Sequence, residues 1–246
     1  MFHVMFQNVF KCIFSMKRRS DGTVVALTPG RQRLSDEFFN RPCLQVAVDL
    51  LGKTLVRKLE DGSLLRCKIV ETECYLGVTD KACHTFGGRR TEKNAPMYMK
   101  PGTSYVYFTY GMYHCFNISS QEEGSAVLLR AAEPLEGEDT MQLHRQASQR
   151  SAKEKSYKTH ELCNGPSKLC MALAIDRFTC NAKDLTLWPE MWFEEAPKPE
   201  ESVVTSTRVG IDSVEKEWRL KPLRFYLLGN KSVSKRDKLQ EGAITS

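Results

Sequence analysis

The sequence predicts a single compact domain of mixed helices and strands, of the α+β class. Three observations point there. A chain of 246 residues, 41% of them hydrophobic, is long enough to bury one sizeable core. Strand-like runs flank Asp61-Gly62, and an aromatic-rich run turns near Tyr110-Gly111, so consecutive strands fold back as hairpins. Helix-period stretches stand between and after them, and neither an internal repeat nor a linker divides the chain.

Residues 1–32 show no sustained periodicity and read as a flexible basic arm. The net charge is +6, and Lys11, Lys17, Arg18 and Arg19, with no acid before residue 21, supply +4 of it. The remainder is only +2, so a polyanion footprint on the folded body must come from local placement rather than bulk charge. The basic cluster follows the apolar residues, which is the wrong order for a secretory signal; an acid-free, Phe-rich, basic start is also compatible with a mitochondrial presequence or a short nuclear signal. No run approaches the roughly 18 apolar residues of a membrane span. The nine cysteines, odd in number and without a CxxC, read as reduced and mostly buried thiols, not a disulfide framework or a metal knuckle.

Order is expected from Leu34. SDEFFNRP predicts a helical turn capped by Ser35. CLQVAVDLLGK places Leu44, Ala47, Val48 and Leu51 on one helical face, with Gly52 as the stop. TLVRKLEDGSLLRCKIVETECYL predicts two strands around Asp61-Gly62. In the second, Ile69, Glu71, Glu73 and Tyr75 share a face by alternation. Residues 77–102 read as a long irregular loop, which in a compact domain is functional or disordered. SYVYFTYGMYHCFNI is a second hairpin, and SAVLLRAAEP a buried strand ending at Pro134. DTMQLHRQASQR is an amphipathic helix, and NGPSKLCMALAI a helix with Pro166 in its first turn and Leu169, Ala172 and Leu173 inward. VVTSTRVGI and LRFYLLG are strand-like. The domain is read as residues 33–230, and 231–246 as a flexible polar tail.

Several residues could carry chemistry. Glu71 and Glu73 project the same way from one strand. Either they serve as acid and base, or they make ion pairs, for instance with Arg66 or Lys68. His84 lies in the polar loop. Tyr105, Tyr107, Phe108, Tyr110, Tyr113 and Phe116 either pack across a hairpin or stack on bases; Tyr110, at the turn before a glycine, stands apart from the packing set. Asn117 and Arg130 are polar groups inside apolar runs and need partners. Gly165, Ser167 and Lys168 open a helix as an ordinary cap or a phosphate contact.

RLSDEFFNRP, LLGKTLVRK, IVETECYLG, KACHTFGGRRT, MYMKPGTSYVYFTYGMYHCFNISSQ, AVLLRAAEPLEG, ELCNGPSKLCMALAI and KPLRFY together resemble the alkyladenine (3-methyladenine, methylpurine) DNA glycosylase family of the vertebrate type, in order from Arg33 to Gly229. That resemblance implies a curved antiparallel sheet with surrounding helices and a protruding hairpin that intercalates in DNA. It implies a monofunctional, monomeric DNA repair enzyme needing no cofactor or metal. Such an enzyme hydrolyses the N-glycosidic bond of alkylated or deaminated purines in double-stranded DNA. The abasic site passes to downstream base-excision-repair proteins, in the nucleus or, through the basic arm, the mitochondrion. It assigns Glu73 as general base and Arg130 as holder of the water and a neighbouring phosphate. Tyr75 becomes one stacking wall, with Tyr107 and His84 the other. Asn117 becomes the gate against guanine, and Tyr110 the wedge. Arg89, Gly165, Ser167, Lys168 and Arg177 become backbone contacts. Cys74 stands where alanine is usual, His114 where an apolar aromatic is usual, and Arg177 where lysine is usual. A non-catalytic single-strand or RNA-binding module is the alternative, and it leaves Glu73 without a task. A carbohydrate glycosidase is disfavoured, because Glu71 and Glu73 do not face each other across a sugar.

Overall fold

The computed structural model describes residues 32–109, 111–148 and 156–245, together with 16–18 and 24–26. The chain forms two units, 1–32 and 33–246. In the first, strand β1 (Met16–Arg18) pairs antiparallel with β2 (Val24–Ala26). The expectation of an arm without regular structure is corrected at these two strands. Val24 and Val25 are β-branched and favour an extended backbone.

The second unit opens with α1 (Asp36–Phe39) and α2 (Cys43–Asp49). Ser35 holds the N-cap position of α1, but its hydroxyl donates to the Glu37 carboxylate instead of accepting a backbone N–H. The inward face of α2 differs from the one expected. Cys43, Val46, Ala47 and Leu50 are buried, whereas Leu44 is 45% exposed. Spacings 43-46-47-50 and 44-47-48-51 are equally helical. Docking against the sheet selects the first, with Thr72 Oγ1 donating to Ala47 O at 2.7 Å.

β3 (Thr54–Lys58) and β4 (Leu64–Tyr75) form the hairpin expected at Asp61-Gly62, with Lys58 opposite Leu64. Residues 77–102 contain three 3-10 turns, at 77–79, 86–88 and 95–98. β5 (Ser104–Thr109) and β6 (Tyr113–Ser119) pair as the second hairpin, Thr109 opposite Tyr113; Phe108, Met112 and Tyr113 are exposed at its end. Tyr110 lies outside the described residues. Next come β7 (Ala126–Glu136), α3 (Glu138–Ala147), α4 (Pro166–Ala172) and α5 (Arg177–Cys180). The chain then adds β8 (Met191–Glu194), β9 (Val203–Ser206), α6 (Lys216–Arg219), β10 (Arg224–Leu227) and α7 (Lys238–Thr245).

Among the described residues, β3–β10 form one antiparallel sheet, with the path β5-β6-β7-β4-β10-β9 and β8 joined through β3. β4 is its axis. One edge pairs with β7; the other pairs with β3 over residues 64–68 and with β10 over 71–73. Register shifts at 66/67, 69/71 and 71/72 interrupt its ladder with β7. Such bulges bend a strand and raise its twist, which curves the sheet around the segment carrying Glu71 and Glu73. The main core lies under β4 and β7 and includes Leu55, Ile69, Phe116, Leu129, Met141, Leu169 and Phe193. All eight described cysteines are buried and free. Cys74 belongs to this core, where the neighbouring Cys43 sulfur and burial push its thiol well up. No described helix is long and apolar enough to cross a membrane.

The end of the domain is corrected. Residues 231–245, read as a tail outside it, pack onto it instead. Ser232 and Val233 are buried, Asp237 N–H donates to Tyr226 Oη (2.8 Å), and Tyr226 Oη donates to Glu241 (3.1 Å), which also pairs with Arg236 (2.7 Å). Polarity suggested fraying, but these polar groups are partnered.

One glycine is demanded by close approach. Gly77 has φ +73°, and a Cβ there would lie 2.1 Å from Glu123 O. Gly77→Ala is expected to destabilise the fold by more than the ~1 kcal/mol of a simple left-handed penalty, because backbone must also shift. Denaturant unfolding reads this directly; an unchanged midpoint would refute it.

Candidate active site

β4, β5, β6 and β7 carry Glu73, Tyr107, Asn117 and Arg130 toward one end of the sheet, and the 77–102 loop brings His84 to meet them. The result is a cavity of about 420 Å³, walled by Tyr75, His84, Met97, Tyr105 and Tyr107, with Asn117, Arg130, Ser167 and Val209 also facing it. His84 stands edge-to-face against Tyr107, with centroids 4.7 Å apart, and its Nδ1 lies 2.8 Å from Tyr105 Oη. It is open to solvent at the mouth, but crowding on its inner side, then the charge of Arg89, holds its pKa below the ordinary histidine value. The imidazole is therefore neutral near pH 7. The Asn117 amide donates to Tyr105 O (3.0 Å), across the β5–β6 ladder.

Glu73 has no exposed surface. It lies beneath the cavity, bonded to three residues that line it. Val209 N–H donates to Oε1 (2.7 Å), Arg130 Nη1 lies 3.3 Å from the same oxygen, and Tyr75 Oη donates to Oε2 (2.9 Å). A carboxylate offers about four lone-pair sites. Two on Oε1 and one on Oε2 are used, which leaves one on Oε2, beside the Tyr75 hydroxyl. Burial pushes the Glu73 pKa up, Arg130, the Val209 N–H and the Tyr75 hydroxyl oppose it, and Glu71 adds to the rise. A carboxylate with a raised pKa and one free lone pair is suited to accept a proton.

Glu71 is also fully buried, and Arg66 and Lys68 are not its partners. Those side chains pair with Glu136 and Glu194, and with Glu133 and Glu201. Glu71 instead accepts from Arg224 and Arg130. The bulge between Ile69 and Glu71 also corrects the expected face: Ile69 joins the main core with Cys67, Val70 and Cys74, and does not share the face of Glu71, Glu73 and Tyr75.

The expected backbone contacts are more scattered. Gly165 and Ser167 lie at the start of α4, and Lys168 Nζ bonds Asn164 Oδ1 (2.8 Å). Ser167 borders both the cavity and a larger groove of about 1080 Å³ between the β5–β6 hairpin, α3 and α4. That groove contains neither Glu73 nor the ring walls, so the smaller cavity is where chemistry is placed. Arg89 and Arg177 are exposed, the second at the start of α5. His114 packs on Phe108 (centroids 5.1 Å), and its buried Nε2 has no partner among the described residues.

Sequence reasoning missed four contributors: Val209, Asp80, Arg208 and Arg224. Arg208 is buried, pairs with Asp80 and lies over the Tyr75 ring, 4.7 Å from its centroid. Arg224 carried a legible signal, a charge inside an apolar run, the same signal that singled out Arg130; Arg208, among threonines and a serine, carried none. Val209 acts through its backbone and carried none.

The site defines a class before any comparison. A buried carboxylate with a raised pKa beneath an aromatic-walled cavity suits hydrolysis at a flat heterocycle. A family model described as methylpurine-DNA glycosylase matches residues 37–231. DNA-3-methyladenine glycosylase of Mus musculus is 50% identical over 212 residues, 85% of this chain and 63% of its own length. The Homo sapiens protein of the same name is 49% identical over 85% of this chain and 70% of its own length. A putative 3-methyladenine DNA glycosylase of Clostridium perfringens is 46% identical over 83% of this chain and 100% of its own length. The chain belongs to the methylpurine-DNA glycosylase family, and it spans less than two thirds of the length of the mouse relative.

Proposed function

We propose that the protein is a monofunctional DNA-repair glycosylase. It flips alkylated or deaminated purines, such as 3-methyladenine, 7-methylguanine, hypoxanthine and ethenoadenine, out of duplex DNA and hydrolyses the N-glycosidic bond. The observation that carries this reading is Glu73 bonded beneath the Tyr75–Tyr107–His84 cavity. A stacked base is out of reach, so the enzyme must extrude it. Tyr110, which follows β5 in sequence, is the residue suited to fill the gap. An alkylated purine is electron-poor, and rings on either side attract it. The His84 backbone N–H donates to no acceptor among the described residues and is available to the base. As the bond to the sugar breaks, positive charge develops there; the Glu73 carboxylate stabilises it and takes the proton of the attacking water through the free lone pair on Oε2. Arg130 orients that carboxylate. The abasic site is left for downstream repair proteins. The reading places a monomer where DNA is, in the nucleus or, through residues 1–32, in the mitochondrion. Asn117 serves as the gate against guanine, and Arg89, Gly165, Ser167, Lys168 and Arg177 as contacts to the DNA backbone.

The test is incubation with a duplex holding one hypoxanthine or ethenoadenine, followed by alkali. Strand breaks at the lesion are expected, and none from folded protein would refute the reading. Because burial raises the Glu73 pKa and the base must be ionised, excision should fall as pH drops through a value above the ordinary ~4.3 of glutamate. Single-turnover rates across pH measure it, and an acid limb at or below that value would count against Glu73 as the base.

A further inference from the structure

Glu71 has no part in the reaction just described, yet it is as deeply buried as Glu73 and as fully bonded. Its Oε1 accepts from Arg224 Nη1 (2.9 Å) and Arg130 Nε (3.2 Å), and its Oε2 accepts the backbone N–H of Ser234 (2.7 Å). Arg130 is thereby tied at Nε by Glu71 and at Nη2 by Ser234 Oγ (3.3 Å), which leaves Nη1 against Glu73. Arg224 is tied in turn, through Nε to Thr207 O (2.7 Å), Nη1 to Lys235 O (2.7 Å) and Nη2 to Ser206 Oγ (3.0 Å). Two carboxylates and two guanidinium groups balance in charge inside the sheet.

Such a network is a poor source of stability, because desolvating four charges offsets most of their attraction, and well-packed apolar side chains would hold the strands as well. What it supplies is direction. An arginine held at two of its nitrogens cannot swing the third away. We propose that Glu71 and the Ser234–Lys235 backbone are positioning elements for excision, holding the Arg130 guanidinium against Glu73, so that the C-terminal segment is part of the catalytic apparatus. This rests on the glycosylase reading above.

The groups facing Glu73 are Arg130, Glu71, the Tyr75 hydroxyl and the Val209 N–H, with Tyr107, Cys115 and Arg208 farther out. Glu71→Gln removes the neighbouring negative charge and leaves Arg130 and Arg224 less neutralised. Both changes favour the ionised form of Glu73. The acid limb of excision therefore moves to lower pH, while the plateau rate falls, by up to about 10²-fold for a misplaced catalytic group. A purely structural role for Glu71 would lower the thermal midpoint and leave the acid limb where it was.

The experiment is single-turnover excision of a hypoxanthine duplex across pH by wild type, Glu71→Gln and Ser234→Ala, with lesion-duplex affinity and thermal midpoint measured in parallel. Glu71→Gln is expected to lose plateau rate and shift its acid limb down at unchanged affinity. Ser234→Ala, which deletes one bond to Arg130 at the domain surface, should lose rate several-fold with its midpoint nearly unchanged. If Glu71→Gln does not fold, Ser234→Ala decides alone. Wild-type excision with both variants at wild-type rate, or an unmoved acid limb in folded Glu71→Gln, overturns the positioning role alone. A wild-type chain that excises nothing overturns the glycosylase reading and this proposal with it.

Discussion

Glu73→Gln is expected to abolish excision of a lesion while leaving the lesion-containing duplex bound. Glutamine fills the same volume and keeps an oxygen for the Val209 N–H, but it cannot take the proton of water. General-base catalysis contributes roughly 10²–10⁴-fold, so the single-turnover rate should fall by that factor, or about 3–5 kcal/mol of barrier. The fold should tolerate the change. Burial holds the Glu73 pKa above its ordinary value, so the folded state disfavours the ionised carboxylate at neutral pH, and a neutral side chain removes that burden. Arg130 keeps Glu71 as a partner. Whatever slow excision remains should lose its acid limb, since the group that titrates is gone. Near-wild-type excision by folded Glu73→Gln would withdraw the base assignment and leave the cavity a binding site.

The sequence exposed the face of β4 and concealed what lies behind it. Alternation placed Glu73 and Tyr75 together, and the structure joins them by a 2.9 Å hydrogen bond. The aromatic run forms the β5–β6 hairpin, and Tyr107 lines the cavity beside His84. What could not be read was the set of long-range partners. Glu71 looked like a bystander or a partner of its strand neighbours. Its real partners lie 59, 153 and 163 residues away in sequence, and pairings at such separations follow from sheet register, which bulges in β4 shift. The face of α2 failed for a related reason: two faces fit the helical period, and only the surface it docks on chooses between them. Residues 231–245 look like a tail by composition, because a polar segment pinned by a few partnered groups has the same composition as one that is fully solvated.

Arg208→Ala is expected to destabilise the fold strongly. Both members of the Arg208–Asp80 pair have fully buried side chains, and Arg208 also donates to Cys74 O (3.1 Å). Removing one partner of such a pair leaves the other charge uncompensated, at a cost of about 3–5 kcal/mol. For a domain of this size that lowers the thermal midpoint by roughly 6–20 °C. Asp80 has a second task. Its oxygens accept the backbone N–H groups of Leu76 and Ala82 (both 3.0 Å), closing the first turn of the loop that delivers His84. Asp80→Ala should therefore cost at least as much, and the double variant should cost clearly less than the sum of the two, because the buried charge is stranded only once. The same pair stands behind Tyr75. The Arg208 guanidinium covers one face of that ring, and Arg208 is not among the residues lining the cavity, so it holds the ring's orientation from outside the cavity; under the proposed function, a bound base would leave that contact intact. Below its lowered midpoint, folded Arg208→Ala should bind lesion duplex more weakly. A double variant whose loss equals the sum would show that Arg208 and Asp80 act independently and would overturn this account of the wall.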